Sequence, residues 1–401
     1  MKRKIYSLAM LAIAAFSVGK ANAQCPTGRY NSFMFPTYTV DSVVYSTPYN
    51  LKMDIYQPAG DALAARPLVI LAHGGSFVGG TRHDDATVVD LCKNLAKRGY
   101  VTASIDYRLG NLVSMVLDST VAIDVVIKAI SDGKAAVRFF RQDAATTNTY
   151  KIDVNNIYYG GNSAGAVLFM HAGYMRTMGE APSYIQTALT ANGGIDGNSG
   201  NAGYSSDGKA VINLAGALNN VSFINAGDIP SVNVQGDIDN TVPYVCAYPL
   251  SGSVHVNLCG LGTMEPEYVA KSIYHMSKVY PGDGHVPWSS DPLKFAQVDS
   301  MVTEFLYNVN CSAVNVNDVS TATEVSLFPN PASSEVNIRS SELLNDVIVY
   351  DQTGRVVLTH TAINNKNYVL NTNALSSGMY MVKVHFNNEN YTPIVKRIVI
   401  E

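Results

Sequence analysis

The chain has 401 residues, 47% of them apolar and 15% charged, with a formal net charge of −4. That length accommodates more than one domain and lets the largest bury a full core. The small negative charge and the absence of any basic stripe exclude a nucleic-acid binder, whose footprint would be clustered Lys and Arg.

Met1-Lys2-Arg3-Lys4 is a positive start, Ile5 to Val18 is an apolar run, and Ala21-Asn22-Ala23 has the small-x-small cleavage pattern. Residues 1–23 therefore read as a secretory signal peptide. The run is too short to span a bilayer comfortably, and no later stretch is long enough, so the mature chain is expected to carry no transmembrane segment. Export permits disulfides. The cysteines are Cys25, Cys92, Cys246, Cys259 and Cys311, an odd number that leaves at least one outside intramolecular pairing. Cys246 and Cys259 flank a short loop-like stretch and are the favoured pair. Cys25 and Cys311 sit at the two ends of the expected catalytic domain and form a second candidate pair, although spacing alone does not fix connectivity.

In chain order, Thr39 to Tyr56 reads as two strands, and Pro67 to Ala72 as a short strand buried on both faces. Asp84 to Arg98 has helical apolar spacing with Gly99 as its stop. Val101 to Ile105 is a second buried strand, Asp118 to Arg141 a long helix and Asn156 to Tyr159 a strand. A helix follows from Ala166 to about Met178, residues 190–206 read as Gly/Asn/Ser-rich loop, His275 falls on a predicted helix, and Ser231 to Gln235 and Ser277 to Tyr280 are later strands. Strands alternating with helices predict an α/β domain with a mostly parallel sheet flanked by helices, over residues 24–311. Residues 312–324 are polar and aperiodic, a linker. From Val325 to Glu401 come short β-patterns, Glu335 to Arg339, Asp346 to Tyr350, Arg355 to Thr359, Tyr368 to Leu370, Met379 to Phe386 and Val395 to Ile400, with Asp351 to Gly354 as a turn. These predict a small all-β sandwich.

Gly161-Asn162-Ser163-Ala164-Gly165 fits G-x-S-x-G between a strand and a helix, the context in which a tight turn lifts a serine hydroxyl above a sheet. A serine alcohol is a poor nucleophile without a base and an orienting acid. Gln235 to Pro243 follows a strand and offers Asp237 and Asp239; Pro281 to Pro287 follows the next strand and offers His285. Serine, acid and histidine in that chain order, all at strand C-terminal ends, predict Ser163, Asp239 and His285 as a catalytic triad. His171, His255 and His275 are alternative histidines, and Asp237 the alternative acid. His73-Gly74-Gly75-Ser76-Phe77 follows an earlier strand and is suited to an oxyanion hole built from the backbone N–H groups of Gly75, Ser76 and Ala164, with His73 holding the loop. No metal or organic cofactor is expected.

Residues 39–290 resemble the bacterial carboxylesterase and lipase families of the α/β-hydrolase superfamily. The matching segments are HGGSF at 73–77, Asp106-Tyr107-Arg108-Leu109, the stretch from Asp153 to Gly165, QGDIDNTVPY at 235–244 and GDGHVPW at 282–288. The resemblance implies an α/β-hydrolase fold and a serine esterase acting through an acyl-enzyme. It places the acid at Asp239, the histidine at His285 and the nucleophile at Ser163. Asn162 departs from the acidic residue common before the serine, and Gln235 from a histidine often seen in the acid loop. The tail, with Leu327-Phe328-Pro329-Asn330-Pro331, Val349-Tyr350-Asp351-Gln352-Thr353-Gly354 and Leu375-Ser376-Ser377-Gly378-Met379-Tyr380, resembles the C-terminal sorting domain of type IX secretion in Bacteroidetes. It implies type IX machinery as a partner, and a chain secreted or held at the outer-membrane surface after crossing the periplasm. A carbohydrate-binding or spacer β-domain is the other reading of the tail. Short-acyl or carbohydrate-linked esters are the favoured substrates, since no long apolar lid is evident. A lipase or polyester hydrolase, a peptidase on the same fold, and a non-catalytic binding protein are the alternatives.

Overall fold

The computed structural model describes Cys25 and residues 28–311, 325–351, 356–387 and 394–401. The expected signal peptide, the linker and residues 352–354 of the expected turn lie outside the described residues. The chain divides into two compact units, Met1–Val314 and Asn315–Glu401.

The first unit runs β1 (Tyr38–Ser46), β2 (Leu51–Pro58), β3 (Arg66–Ala72), α1 (Ala86–Lys97), β4 (Val101–Ile105), α2 (Leu112–Leu117), α3 (Ser119–Ala145), β5 (Ile152–Asn162), α4 (Ala164–Tyr174), α5 (Ser183–Ala191), β6 (Ala210–Leu214), β7 (Ser231–Gly236), α6 (Leu261–Ala270), β8 (His275–Tyr280) and α7 (Pro292–Cys311). Its eight strands lie in the order β1-β2-β4-β3-β5-β6-β7-β8. β1 is antiparallel to β2 and β2 to β4; every later pairing is parallel.

The burial of β3 explains its continuous apolar run. Leu68, Ile70 and Ala72 face one core with Ile127, Ile130, Val137, Leu168 and Phe169, from α3 and α4. Val69 and Leu71 face the other with Val88, Leu91 and Leu95 of α1 and Val298, Val302 and Phe305 of α7. Alternate side chains of one strand thus serve two helical layers, so neither face has room for polar residues. α1 opens on Asp85, whose side chain accepts from the Val88 N–H. It closes on Gly99, whose φ of +106° turns the chain while Gly99 and Tyr100 donate to Ala96 and Leu95, the left-handed cap that glycine supplies without strain.

The structure corrects several sequence expectations. His275 opens strand β8 rather than lying on a helix. The helical pattern stops at Ala270, and Ser272 at φ +54° breaks it. α4 starts at Ala164 and ends at Tyr174, not Ala166 to Met178. β6 and α7 had no predicted counterpart.

Disulfides join Cys25 to Cys311 and Cys246 to Cys259. Cys92 is free and buried, and burial pushes its thiol up to about 12. Among the described residues no helix is long and apolar enough to cross a membrane.

The second unit is all antiparallel: β9 (Val325–Phe328), β10 (Glu335–Tyr350), β11 (Val356–His360), β12 (Asn365–Asn371), β13 (Gly378–Phe386) and β14 (Ile394–Ile400). The two short strands expected at Glu335 to Arg339 and Asp346 to Tyr350 are one strand, β10. Its first half pairs with β9 and β12 and its second with β11 and β13. Val336, Ile338, Val347, Val349, Val382, Val384 and Ile398 supply a core of its own.

Candidate active site

The end of β5 runs into α4 through Ser163, which sits at φ +54°, ψ −117°. A non-glycine residue here is strained, and the packing around it is tight. A Cβ on Gly165 would lie 2.0 Å from the Ala72 carbonyl oxygen, and one on Gly161 2.4 Å from it. Only glycine allows α4 to approach the end of β3 so closely. The Ser163 N–H is held by the Leu214 carbonyl of β6 at 2.8 Å.

Loops after β7 and β8 bring two more side chains to this point. Ser163 Oγ lies 2.7 Å from His285 Nε2, and His285 Nδ1 lies 2.7 Å from Asp239 Oδ2. The other oxygen of Asp239 accepts the N–H groups of Thr241 and Val242 at 2.9 and 3.0 Å, which fixes the buried carboxylate. Asp237 instead accepts the Gly282 N–H at 2.7 Å. The acid loop is braced by Gln235, which donates to the Val242 carbonyl and accepts from the Leu261 N–H. The alternative histidines are engaged elsewhere. His171 bridges Val167 and Asn219 within the apolar wall, His255 packs against Tyr248, and His275 contacts the Ile273 carbonyl.

The loop after β3 lies across from the serine. Gly75, Ser76 and Phe77 all have positive φ, at +118°, +54° and +63°. The Gly75 carbonyl accepts from Val78 and Gly79, while the N–H groups of Gly75, Ser76 and Ala164 have no acceptor among the described residues. His73 donates from Nδ1 to the Gly74 carbonyl at 2.6 Å and stacks on Tyr107 at 4.3 Å between centroids. Burial holds its pKa below the ordinary histidine value, the Gly74 hydrogen bond opposing that shift.

Sequence reasoning missed the ties between these loops. Asp85 Oδ2 accepts both the Gly74 N–H and the Asn162 side-chain amide, and Asn162 Oδ1 accepts from the Trp288 indole. The available signal was positional: Asn162 precedes the serine and Trp288 follows His285 by three residues.

Two cavities meet at Ser163, Ser76 and Thr241. One is an apolar, partly open cavity of about 90 Å³, with Phe77, Met115, Ile127, Val167, Leu250 and Val254 in its lining. The other is an open cleft of about 560 Å³, more polar than the first, which includes Asp84, Thr87, His285 and Ser289. Among the described residues no group of three or more His, Cys, Asp or Glu is arranged to hold a metal ion.

Residues 53–213 match the BD-FAE family model, an α/β-hydrolase esterase family. The first unit is a carboxylic ester hydrolase domain. Residues 326–401 of the esterase match the secretion system C-terminal sorting domain, so the second unit marks the chain for export. Among solved structures, Thermogutta terrifontis esterase 2 phosphorylated by paraoxon is 23% identical with a TM-score of 0.50, covering 71% of this chain and 98% of that one. The same organism's Est2 with propionate bound gives 23% and 0.50, with coverage of 71% and 98%. These likenesses establish the shared fold. No curated protein matches the esterase.

Proposed function

We propose that the esterase cleaves short-acyl esters of polar, including carbohydrate-linked, alcohols through Ser163, His285 and Asp239. The observation that carries the reading is the unbroken row of hydrogen bonds from Ser163 Oγ through both nitrogens of His285 to Asp239, each 2.7 Å long. Ser163 attacks the ester carbonyl carbon as His285 Nε2 takes its proton. Asp239 holds the imidazole in the tautomer with Nδ1 protonated and stabilises the imidazolium. The unengaged N–H groups of Gly75, Ser76 and Ala164 receive the oxyanion. His285 then gives the proton to the leaving alcohol oxygen as the C–O bond breaks. Water, deprotonated by the same nitrogen, releases the acid from the acyl-enzyme.

The two cavities divide the substrate. His285 borders the more polar cleft and not the apolar cavity. The alcohol that it protonates therefore leaves into the cleft, and the acyl group enters the cavity. At about 90 Å³, the cavity is smaller than the ~150 Å³ void that takes benzene, which favours a short aliphatic acyl group over an aromatic one. The type IX machinery is the proposed reader of the sorting domain, and the outer-membrane surface or the medium its destination.

Paraoxon, which phosphorylates Thermogutta terrifontis esterase 2, is the test reagent. Mass spectrometry is expected to find one modified peptide containing Ser163. Ser163→Ala is expected to escape modification and to lose turnover of p-nitrophenyl acetate by roughly a millionfold while remaining folded. Near-normal hydrolysis by folded Ser163→Ala overturns the assignment.

A further inference from the structure

Pro249, Leu250, Val254, Val256 and Leu258 all line the apolar cavity, and all lie inside the loop that Cys246–Cys259 closes. One short covalent loop thus supplies these residues to the lining, to which α3 contributes Ile123, Ile127 and Ile130. We infer that the Cys246–Cys259 disulfide is a specificity device: by tethering this loop it sets the length of acyl chain that the esterase accepts. The inference rests on the reading of the cavity as the acyl site.

Non-covalent ties gather at the base of the loop: Ala247 and Leu258 exchange N–H to carbonyl bonds at 2.9 Å each, Cys259 and Leu218 do so at 2.7 and 3.1 Å, and the side-chain amides of Asn219 and Asn257 each donate to the other's carbonyl. Its segment contains no helix or extended strand, only isolated bridges of Ala247 to Leu258 and Cys259 to Leu218. Leu250 and Ser251 have φ of +54° and +55°, a region that non-glycine residues enter only when the surroundings hold them there. Two hydrogen bonds provide that hold, from Leu250 N–H to the Thr241 carbonyl at 2.9 Å and from Ser251 N–H to the Asn240 carbonyl at 2.7 Å. The wall therefore hangs from the residues just after Asp239 on one side and is closed by the disulfide on the other. Without the cross-link only the hydrogen bonds at its base join the two legs, and the loop regains part of the freedom that a flexible segment of this length allows. The wall then moves outward and the cavity lengthens. The hydrogen bonds that fix Asp239 come from Thr241 and Val242, outside the cross-linked loop, so the serine's activation does not depend on the tether.

The test compares kcat/KM for p-nitrophenyl acetate, butyrate, hexanoate and octanoate in the full chain and in Cys246→Ser/Cys259→Ser. The expected result is a hexanoate-to-acetate ratio raised by about tenfold or more, the usual scale of one methylene in an apolar pocket, with Ser163 still modified by paraoxon. Ile127→Trp, which narrows the cavity from α3, is expected to shift the ratio toward acetate. A double variant that paraoxon still modifies and whose acyl profile is unchanged, while Ile127→Trp shifts the profile, overturns the inference and leaves the acyl reading standing. An unchanged profile in both variants overturns the acyl reading and the inference with it. If the double variant does not fold, Cys246→Ala/Cys259→Val, which removes the cross-link and fills its space with apolar side chains, takes its place: a shift toward hexanoate supports the inference, and an unchanged profile overturns it.

Discussion

Asn162 donates its side-chain amide, at 3.0 Å, to the same Asp85 oxygen that receives the Gly74 N–H at 2.9 Å. The residue before the proposed nucleophile is thereby tied to the loop of the proposed oxyanion hole. Asn162→Leu keeps the shape and removes both of its hydrogen bonds, leaving the Trp288 indole unpartnered. It is expected to cost about 1–3 kcal/mol of stability and to lower kcat more than it raises KM. Asn162→Asp is expected to behave differently. Two carboxylates would then face each other at hydrogen-bond distance, so the defect should be worst at neutral pH and ease as the solution is acidified. Urea melts and kcat profiles of the two variants between pH 5 and pH 8 check this, and identical pH dependence in both would refute it.

Asp239→Asn is expected to leave His285 in the wrong tautomer and lower kcat by about 10⁴. Asp237→Asn keeps an oxygen to accept the Gly282 N–H and is expected to be mild. Steady-state kinetics of the pair decides, and the reverse ranking would show the acid to be misassigned.

His171 is buried. Its Nδ1–H donates to the Val167 carbonyl and its Nε2 accepts from the Asn219 N–H. A second proton would confront that N–H. Burial lowers its pKa to about 4, the Val167 hydrogen bond opposing the shift. The unfolded chain takes up a proton near ~6.5, and the folded chain refuses it until about 4. The group's contribution is therefore fully present above ~6.5 and is lost as pH falls toward 4, a loss of about 3 kcal/mol. Denaturant unfolding at pH 7 and pH 4.5 is expected to have a shallower pH slope in His171→Gln. An equal slope would remove His171 as a cause of acid lability.

Each unit has its own core. A chain ending near Thr321 is therefore expected to fold, form both disulfides and hydrolyse small esters at the full-length rate. In the native host the same truncation is expected to leave the enzyme in the periplasm. Loss of activity on polymeric substrate alone, with small esters unaffected, would make the tail a substrate-binding module instead.

Much of this was legible from local signals. Val101 to Ile105 was readable as a strand because all five residues are buried between helical layers, which leaves an uninterrupted run of apolar and small residues. The row of Ser163, His285 and Asp239 was readable from chain order and from glycines whose spacing a strand-to-helix turn demands. β6 escaped because Ala210 to Leu214 is a brief run beside Gly- and Asn-rich loop. α7 carried a visible signal, Val298, Val302, Phe305 and Val309 at helical spacing, that went unused. β10 looked like two strands because Ser340, Ser341 and Glu342 interrupt the apolar pattern where the strand changes partners. The link from Asn162 to Asp85 joins residues 77 apart, and no periodicity reports a contact of that kind.

The Cys25–Cys311 bond joins positions 286 apart in sequence and makes everything between them a closed covalent ring. The sorting unit is attached beyond Cys311, the last residue of α7. A pull on that attachment is shared at Cys311 between α7 and the bond to Cys25. Peeling the helix from the sheet through the tail would have to drag Cys25 along with it, and an exopeptidase trimming inward after the tail is removed meets two chain segments joined by a disulfide instead of one loose end. The ring ties the end of the chain that carries the export label to the other end of the catalytic unit.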